Sequence, residues 1–160
     1  ILSSLVYLIL YYFKYTGTDM SMMFYESEGV SLQLSNFVTS KVTDMEEIFS
    51  YSHTKELDLS SFNTSNITSM EHMFRGAKVI NLDLTSFDTS NVTNMNSMFW
   101  GAEATTLDLS SFDTSNVPLH MMQNMFASSQ ATTGYARTQT DADKFNATTF
   151  KPEGLTFKVK

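Results

Sequence analysis

The sequence contains no cysteine, which excludes disulfide bonds and thiolate metal sites. It has six glycines and two prolines in 160 residues, and the glycines are too few to form a glycine-rich phosphate cradle. The most apolar run, residues 1–13, is shorter than the ~20 residues of a membrane-spanning helix. We expect it to be a buried capping segment, with a truncated signal or anchor segment as the alternative.

Basic residues are scarce in most of the chain. Residues 1–133 carry 14 acidic and 5 basic side chains, whereas residues 134–160 carry 3 acidic and 5 basic ones, and the whole chain has a net charge of −7. Nucleic acids and anionic membrane surfaces both require a basic face. The charge therefore predicts no nucleic-acid partner and no direct membrane insertion of this acidic part.

What the sequence has in quantity is internal repetition. A Leu-Asp-Leu string begins at residues 57, 82 and 107, and a looser Leu-Gln-Leu copy begins at residue 32. Each start follows the previous one by 25 residues. A fixed period of this length is typical of stacked repeat proteins.

One repeat shows two different spacings of its apolar residues. Leu82 and Leu84 flank Asp83, an alternation that predicts a short strand with the leucines on one face. Farther along, the apolar residues fall three or four apart from Val92 to Phe99, which predicts a short helix. Each repeat therefore predicts one short strand and one short helix.

These patterns predict an α/β repeat solenoid of the leucine-rich-repeat type, with one short strand and one short helix in each 25-residue coil and about five coils. The predicted solenoid spans residues 1–133. Its coils are a degenerate N-terminal one at 7–31, then 32–56, 57–81, 82–106 and 107–133. Residues 134–160 are predicted to be a C-terminal cap or a connector, with a short helix from Thr140 and a strand at 155–159.

The repeated string, Leu-Asp-Leu-Ser-Ser-Phe-Asp-Thr-Ser-Asn-Val followed by Met-Phe-x-Gly, resembles the BspA-type leucine-rich-repeat surface proteins of bacteria. The resemblance covers residues 18–126 well and 7–17 weakly, and residues 135–146 resemble a segment that closes such arrays. It implies a secreted or wall-attached protein with adhesive or host-interacting roles and no enzymatic activity. It supplies no binding residues that transfer to positions here.

No motif of catalysis is present in the sequence. The three histidines, His53, His72 and His120, are scattered, and no nucleophile elbow or phosphate-binding loop occurs. We therefore predict that the protein is not an enzyme, and we assign it no catalytic residues, no metal ligands and no cofactor.

Two sets of residues are candidates for binding a partner. Asp58, Asp83 and Asp108 recur once per repeat and are expected to line the outer strand face. Such a row has two interpretations, a solvated acidic face or a Ca²⁺ site built from carboxylates. Arg75 and Trp100 occupy the variable position before the repeat glycine, where recognition would be tuned, and a large aromatic beside an arginine is typical of contact patches.

The sequence thus favours a non-enzymatic bacterial protein of the cell surface or cell wall. Its expected role is adhesion, or protein–protein interaction, with macromolecules of host or neighbouring cells through contacts summed over several repeats. Two alternatives remain, a passive spacer in the cell wall and a Ca²⁺-stabilised array.

Overall fold

The computed structural model describes residues 17–29, 31–32, 34–35 and 37–160. Its regular elements are few and short. They are β1 (Ser31–Leu32), β2 (Glu56–Leu57), β3 (Thr106–Leu109), a 3₁₀ helix (Leu119–Met122), β4 (Thr133–Ala136), α1 (Gln139–Asn146) and β5 (Phe157–Val159). Strands β1 and β2 form a parallel pair, and β3, β4 and β5 form a second parallel sheet in that order.

The predicted α/β repeat solenoid, with a strand and a helix in every coil, is wrong. The described residues contain one α-helix, one 3₁₀ helix and two small parallel sheets of five short strands in total. Where helices were expected, residues 46–51, 71–76 and 96–101 form turns. In the predicted coil 107–133, the longer helix is a single 3₁₀ turn after Pro118. The strand of the predicted coil 7–31 lies outside the described residues.

Left-handed backbone interrupts the helices expected at residues 46–51, 71–76 and 96–101. Glu47, His72 and Ser97 occupy the same place in three successive repeats, and their φ angles are 55°, 57° and 53°. Four residues later, Gly76 and Gly101 also have positive φ, of 62° and 68°. A right-handed helix needs negative φ at every residue, so two left-handed residues in each repeat interrupt it.

The backbone amides of these turns therefore donate hydrogen bonds to different acceptors than they would in a helix. The N–H of Met70 donates to Asn94 O at 2.9 Å, and that of His72 donates to Asn96 O at 3.0 Å. The intervening Met73 donates within its own turn, to Met70 O at 3.3 Å. Roughly alternate amides therefore bond to the segment 24 residues farther on, as in parallel strands. An α-helix would have directed these amides to the carbonyl four residues earlier.

The apolar residues of the repeats are buried together in one cluster. Leu59, Leu84 and Leu109 are at most 2% exposed, in agreement with their predicted inward direction. The methionines at the start of each turn are completely buried; they are Met20, Met45, Met70 and Met95. The three- and four-residue spacing thus correctly identified core residues, although the backbone that carries them is not helical.

Phenylalanine rings run through this core as a continuous stack. Phe24, Phe49, Phe74, Phe99 and Phe126 follow one another at centroid distances of 5.5–5.9 Å, and consecutive ring planes differ by no more than 9°. Offset parallel stacking at such distances is favourable beyond the area that it buries. The stack ends against Phe157, whose centroid lies 4.7 Å from that of Phe126.

Residues after the last repeat cover the end of the core. Strand β4 pairs in parallel with β3, and β5 pairs in parallel with β4. Helix α1 begins after Thr138, whose hydroxyl accepts a hydrogen bond from the Asp141 amide at 3.2 Å, and it buries Ala142 and Phe145. A short helix and a terminal strand here agree with the sequence, while the division into domains 1–133 and 134–160 stays a prediction.

Candidate functional site

The backbone places Arg75 and Trp100 beside each other on consecutive repeats. The amide of Gly76 donates to Trp100 O at 2.7 Å, and the amide of Tyr51 donates to Arg75 O at 2.6 Å. Three repeats are thereby held in register at this position. The side chains of Tyr51, Arg75 and Trp100 emerge from this ladder and are each partly exposed.

The Arg75 guanidinium lies between two aromatic rings. Its Cζ is 4.3 Å from the centroid of the Trp100 ring and 5.4 Å from that of Tyr51. Tyr25 extends the row, since its ring meets that of Tyr51 edge-on at 6.0 Å. We call these four residues the cation–aromatic patch. Contacts of this kind contribute ~0.5–2 kcal/mol each, depending on how dry they are.

The Nε atom of Arg75 is buried and has no hydrogen-bond partner within the described part of the chain. The Trp100 ring holds the guanidinium from one side, while no carboxylate of the described residues forms an ion pair with it. An arginine that is oriented but not neutralised is a donor group ready for a carboxylate of another molecule.

Gly76 makes room for this arrangement. A Cβ atom at Gly76 would lie 2.6 Å from Cδ1 of the Tyr51 ring, whereas one at Gly101 would make ordinary contacts with the Gly76 backbone, at 3.8 Å from Cα and 3.9 Å from N. Both glycines have positive φ, so the two positions differ mainly in the Tyr51 contact.

This difference gives a matched pair of variants. We expect Gly101→Ala to lower the free energy of unfolding by about 1 kcal/mol, from left-handed strain alone. Gly76→Ala should cost about 2–3 kcal/mol, because the added methyl also displaces the Tyr51 ring. Urea denaturation of both variants measures the difference. Equal losses would show that the ring contact contributes nothing.

The three predicted aspartates form a separate group. Each carboxylate Oδ1 accepts from the amide and the hydroxyl of the residue two positions on, at 2.6–3.1 Å; the aspartates are Asp58, Asp83 and Asp108. For Asp58 and Asp83, these bonds lower the pKa of the carboxyl below its usual value. The pKa of Asp108 is also lowered, because bonds from Lys160 and Ser110 outweigh the effect of burial. Their first role is therefore to hold turns.

The acidic row also borders a shallow depression. About 380 Å³ of open space lies between Asp83 and Asp108, over Leu82 and beside the half-exposed Ile80. At the far end of the row, the Lys160 ammonium pairs with Asp108 Oδ2. The structure thus places Arg75 and Trp100 in contact with each other, and no ion pair among the described residues joins Arg75 to the aspartates.

Sequence reasoning missed two features. Tyr51 completes the cation–aromatic patch. It occupies the repeat position equivalent to Gly76, one residue after the variable position that was compared between repeats. Glu46, Glu47 and His72 come together as a group that could hold a metal ion. The separation of Glu47 from His72 by one 25-residue period predicts that these two side chains are neighbours, and a surface hydrogen bond was expected between them. Glu46 and the metal-binding arrangement are what sequence reasoning missed.

The fold and the site together define a protein of 25-residue repeats, joined by parallel backbone bonds, that presents an ordered cation–aromatic surface. A family model described as "Mycoplasma protein of unknown function, DUF285" matches residues 18–138, and the chain belongs to this family. No curated protein matches the chain, and no solved structure does. Within the described residues, no helix is long and apolar enough to cross a membrane.

Proposed function

We propose that this chain is a non-enzymatic bacterial surface protein that binds a macromolecule of a host or neighbouring cell. The observation that carries the proposal is the Arg75 guanidinium, held 4.3 Å from the Trp100 ring centroid on a partly exposed surface. Arginine, tryptophan and tyrosine are the residue types that dominate binding energy at protein interfaces. The likeness of the repeats to BspA-type surface proteins supports the extracellular, cell-surface or cell-wall location.

The chemistry of the patch favours a protein partner that offers a carboxylate beside an apolar group. The guanidinium would donate to the carboxylate, while the indole and phenol rings would cover the apolar part. The aspartates at 58, 83 and 108 would supply complementary negative charge and restrict which partners approach. Because the aspartates recur once per repeat and the patch spans consecutive repeats, affinity would be the sum of several modest contacts.

Replacement of the patch residues tests this function. We expect Trp100→Ala and Arg75→Gln to reduce binding to cultured host cells or immobilised matrix protein by ~30-fold each, as typical hot-spot residues do. Arg75→Lys should also bind weakly, because an ammonium keeps the charge without the planar stack. Surface plasmon resonance and cell-binding assays with the whole chain measure these changes.

Two controls match these variants. Lys41→Gln removes one exposed positive charge outside the patch, and Leu119→Ala removes one exposed apolar side chain. Both should bind as the wild type does. If the patch variants bind as tightly as these controls, the patch is not the contact surface. That result would favour the alternative that the chain is a passive spacer.

The Ca²⁺-stabilised array is tested separately. Asp58, Asp83 and Asp108 already accept bonds from their own turns, and Lys160 pairs with the last of them. A thermal melt with and without millimolar CaCl₂ distinguishes the two roles of the row. An unchanged midpoint removes the calcium alternative, whereas a rise of several degrees would favour it over a solvated acidic face.

A further inference from the structure

Three metal-ligating side chains meet on the surface of two consecutive repeats. Glu46, Glu47 and His72 each offer one ligand atom, and these atoms all lie within 4.8 Å of one another. Glu47 and His72 occupy the same left-handed position in their repeats, with φ angles of 55° and 57°. The parallel register therefore brings the carboxylate and the imidazole to the same spot.

His72 Nδ1 is a buried nitrogen that has no hydrogen-bond partner among residues the structure describes. It faces Glu47 Oε1 and Glu71 Oε1, each at 3.9 Å, which is too far for a hydrogen bond. Buried polar atoms in folded proteins are nearly always satisfied, so one that is not needs an explanation. A nitrogen that faces carboxylate oxygens across such a gap has the arrangement of a ligand around a cation.

The carboxylates at this place are crowded as well. The Glu46 and Glu47 carboxylates lie within 4.8 Å of each other, and Glu71 Oε1 lies 3.9 Å from His72 Nδ1. No lysine or arginine among the described residues forms an ion pair with the three glutamates. Asn94 Nδ2 donates to Glu71 Oε2 at 2.7 Å and thereby orients that carboxylate beside the group. Bound positive charge would relieve the repulsion.

We propose that Glu46, Glu47 and His72 bind a divalent transition-metal ion, best represented by Zn²⁺, which links two consecutive repeats. One imidazole nitrogen with two carboxylates suits Zn²⁺ and similar ions, whereas Ca²⁺ and Mg²⁺ prefer oxygen ligands alone. Donors ~2.1 Å from a tetrahedral ion lie ~3.4 Å apart, so each side chain moves by less than ~1 Å on binding. The proposal is independent of the cell-binding function proposed above.

Metal titration of the whole chain tests the proposal. After treatment with a chelator, the protein should bind ZnCl₂ in isothermal titration calorimetry with one ion per chain, and its melting temperature should rise by several degrees. Co²⁺ should give the visible absorption of a site with nitrogen and oxygen ligands. CaCl₂ should have no comparable effect. Absence of Zn²⁺ binding, or an equal response to Ca²⁺, would overturn the proposal.

Variants identify the ligands and separate metal loss from misfolding. His72→Gln should weaken Zn²⁺ binding more than ~100-fold, beyond the loss typical of an outer-shell group. Glu46→Gln should weaken it strongly as well, yet leave the metal-free protein at least as stable as the wild type, because it removes one of two carboxylates that lie within 4.8 Å of each other. This variant stays informative even if His72→Gln folds poorly.

The matched control is another His–Glu pair on the repeats. His53 Nδ1 lies 3.3 Å from Glu28 Oε1, and both side chains are at least half exposed. His53→Gln should leave Zn²⁺ affinity unchanged. If it weakens binding as much as His72→Gln does, the ion binds adventitiously to surface histidines. If neither variant changes the affinity, the ion binds elsewhere. Either result would show that the assigned site is wrong.

Discussion

Asp141→Ala should lower the free energy of unfolding by about 3–4 kcal/mol, because it removes the buried carboxylate that joins the C-terminal residues to the last repeat. Asp141 is 2% exposed. Its Oδ1 accepts from the Thr114 hydroxyl at 2.6 Å and from the Thr114 amide at 3.0 Å. Its Oδ2 accepts from Thr138 Oγ1 and from Arg137 Nε. Alanine would leave several buried donors unsatisfied, each at a cost of ~1–3 kcal/mol before relaxation.

The pattern of the preceding threonines explains why Asp141 matters. Thr64 and Thr89 are buried, and each hydroxyl both donates to and accepts from the backbone of one residue in the next repeat, Asp88 or Asp113. Thr114 lies in the last repeat, so no repeat backbone follows it, and the Asp141 side chain accepts a hydrogen bond from its hydroxyl instead. Without it, the exposed end of the repeat core would also lose the Arg137 link between Asp113 and Asp141.

Acid pH gives a second readout of the same contact. Burial alone would raise the pKa of Asp141, but the hydrogen bonds from Thr114 and Thr138 and the charge of Arg137 outweigh it, so the pKa is lowered. A lowered pKa contributes stability that is present above the unfolded value of ~3.9 and is lost as pH falls through the folded pKa. The stability difference between wild type and Asp141→Ala should therefore shrink below about pH 4.

Asp143→Ala is the control for this prediction. Asp143 lies in the same helix, is exposed, and accepts only from Gln139 Nε2 at 2.8 Å among side chains. We expect a change within ~0.5 kcal/mol. Urea denaturation at pH 7 and pH 3.5 measures both variants. Equal effects of the two substitutions, or a difference that does not depend on pH, would contradict the role assigned to Asp141.

The repeat period and the core residues were readable from the sequence, but the backbone between them was not. Buried side chains at three- and four-residue spacing satisfy a helix and a chain of tight turns equally well. The feature that distinguishes the turns from a helix is left-handed φ at Glu47 and His72. Neither glutamate nor histidine predicts that conformation from sequence, as glycine does. Thr43 and Thr68 are each followed three positions later by a glutamate, the spacing of a helix capping box. Their hydroxyls nevertheless donate to the previous repeat and not to a helix start.

The candidate site was also predictable only in part from the sequence. Comparing one position across the repeats identified Arg75 and Trp100 as candidates. These residues are in contact in the structure, because equivalent positions of consecutive repeats lie side by side. Tyr51 lies one position later in its repeat, and its ring reaches Arg75 only because Gly76 lacks a side chain. Contacts between non-equivalent positions depend on side-chain direction and on the local backbone. Comparison of equivalent positions in the sequence gives no information on either.

Phe99→Ala should lower the free energy of unfolding by about 3–5 kcal/mol, the range for removing a large buried aromatic. The ring is completely buried, and its centroid lies 5.7 Å from that of Phe74 and 5.9 Å from that of Phe126. Removal leaves a cavity and breaks two stacked contacts at once. Phe99→Leu retains much of the volume and should cost about half as much.

The comparison that decides this prediction is Phe150→Ala. Phe150 is 81% exposed, so its loss should change stability by less than ~0.5 kcal/mol. The parallel ring planes also predict a loss of near-ultraviolet circular dichroism for Phe99→Ala but not for Phe150→Ala. Because the short strands pair only a few residues, most cohesion between repeats must come from the stacked core and the alternate amide bonds. If Phe99→Ala and Phe150→Ala had the same free energy of unfolding, the stacked rings would not stabilise the packing of the repeats, and the prediction would be wrong.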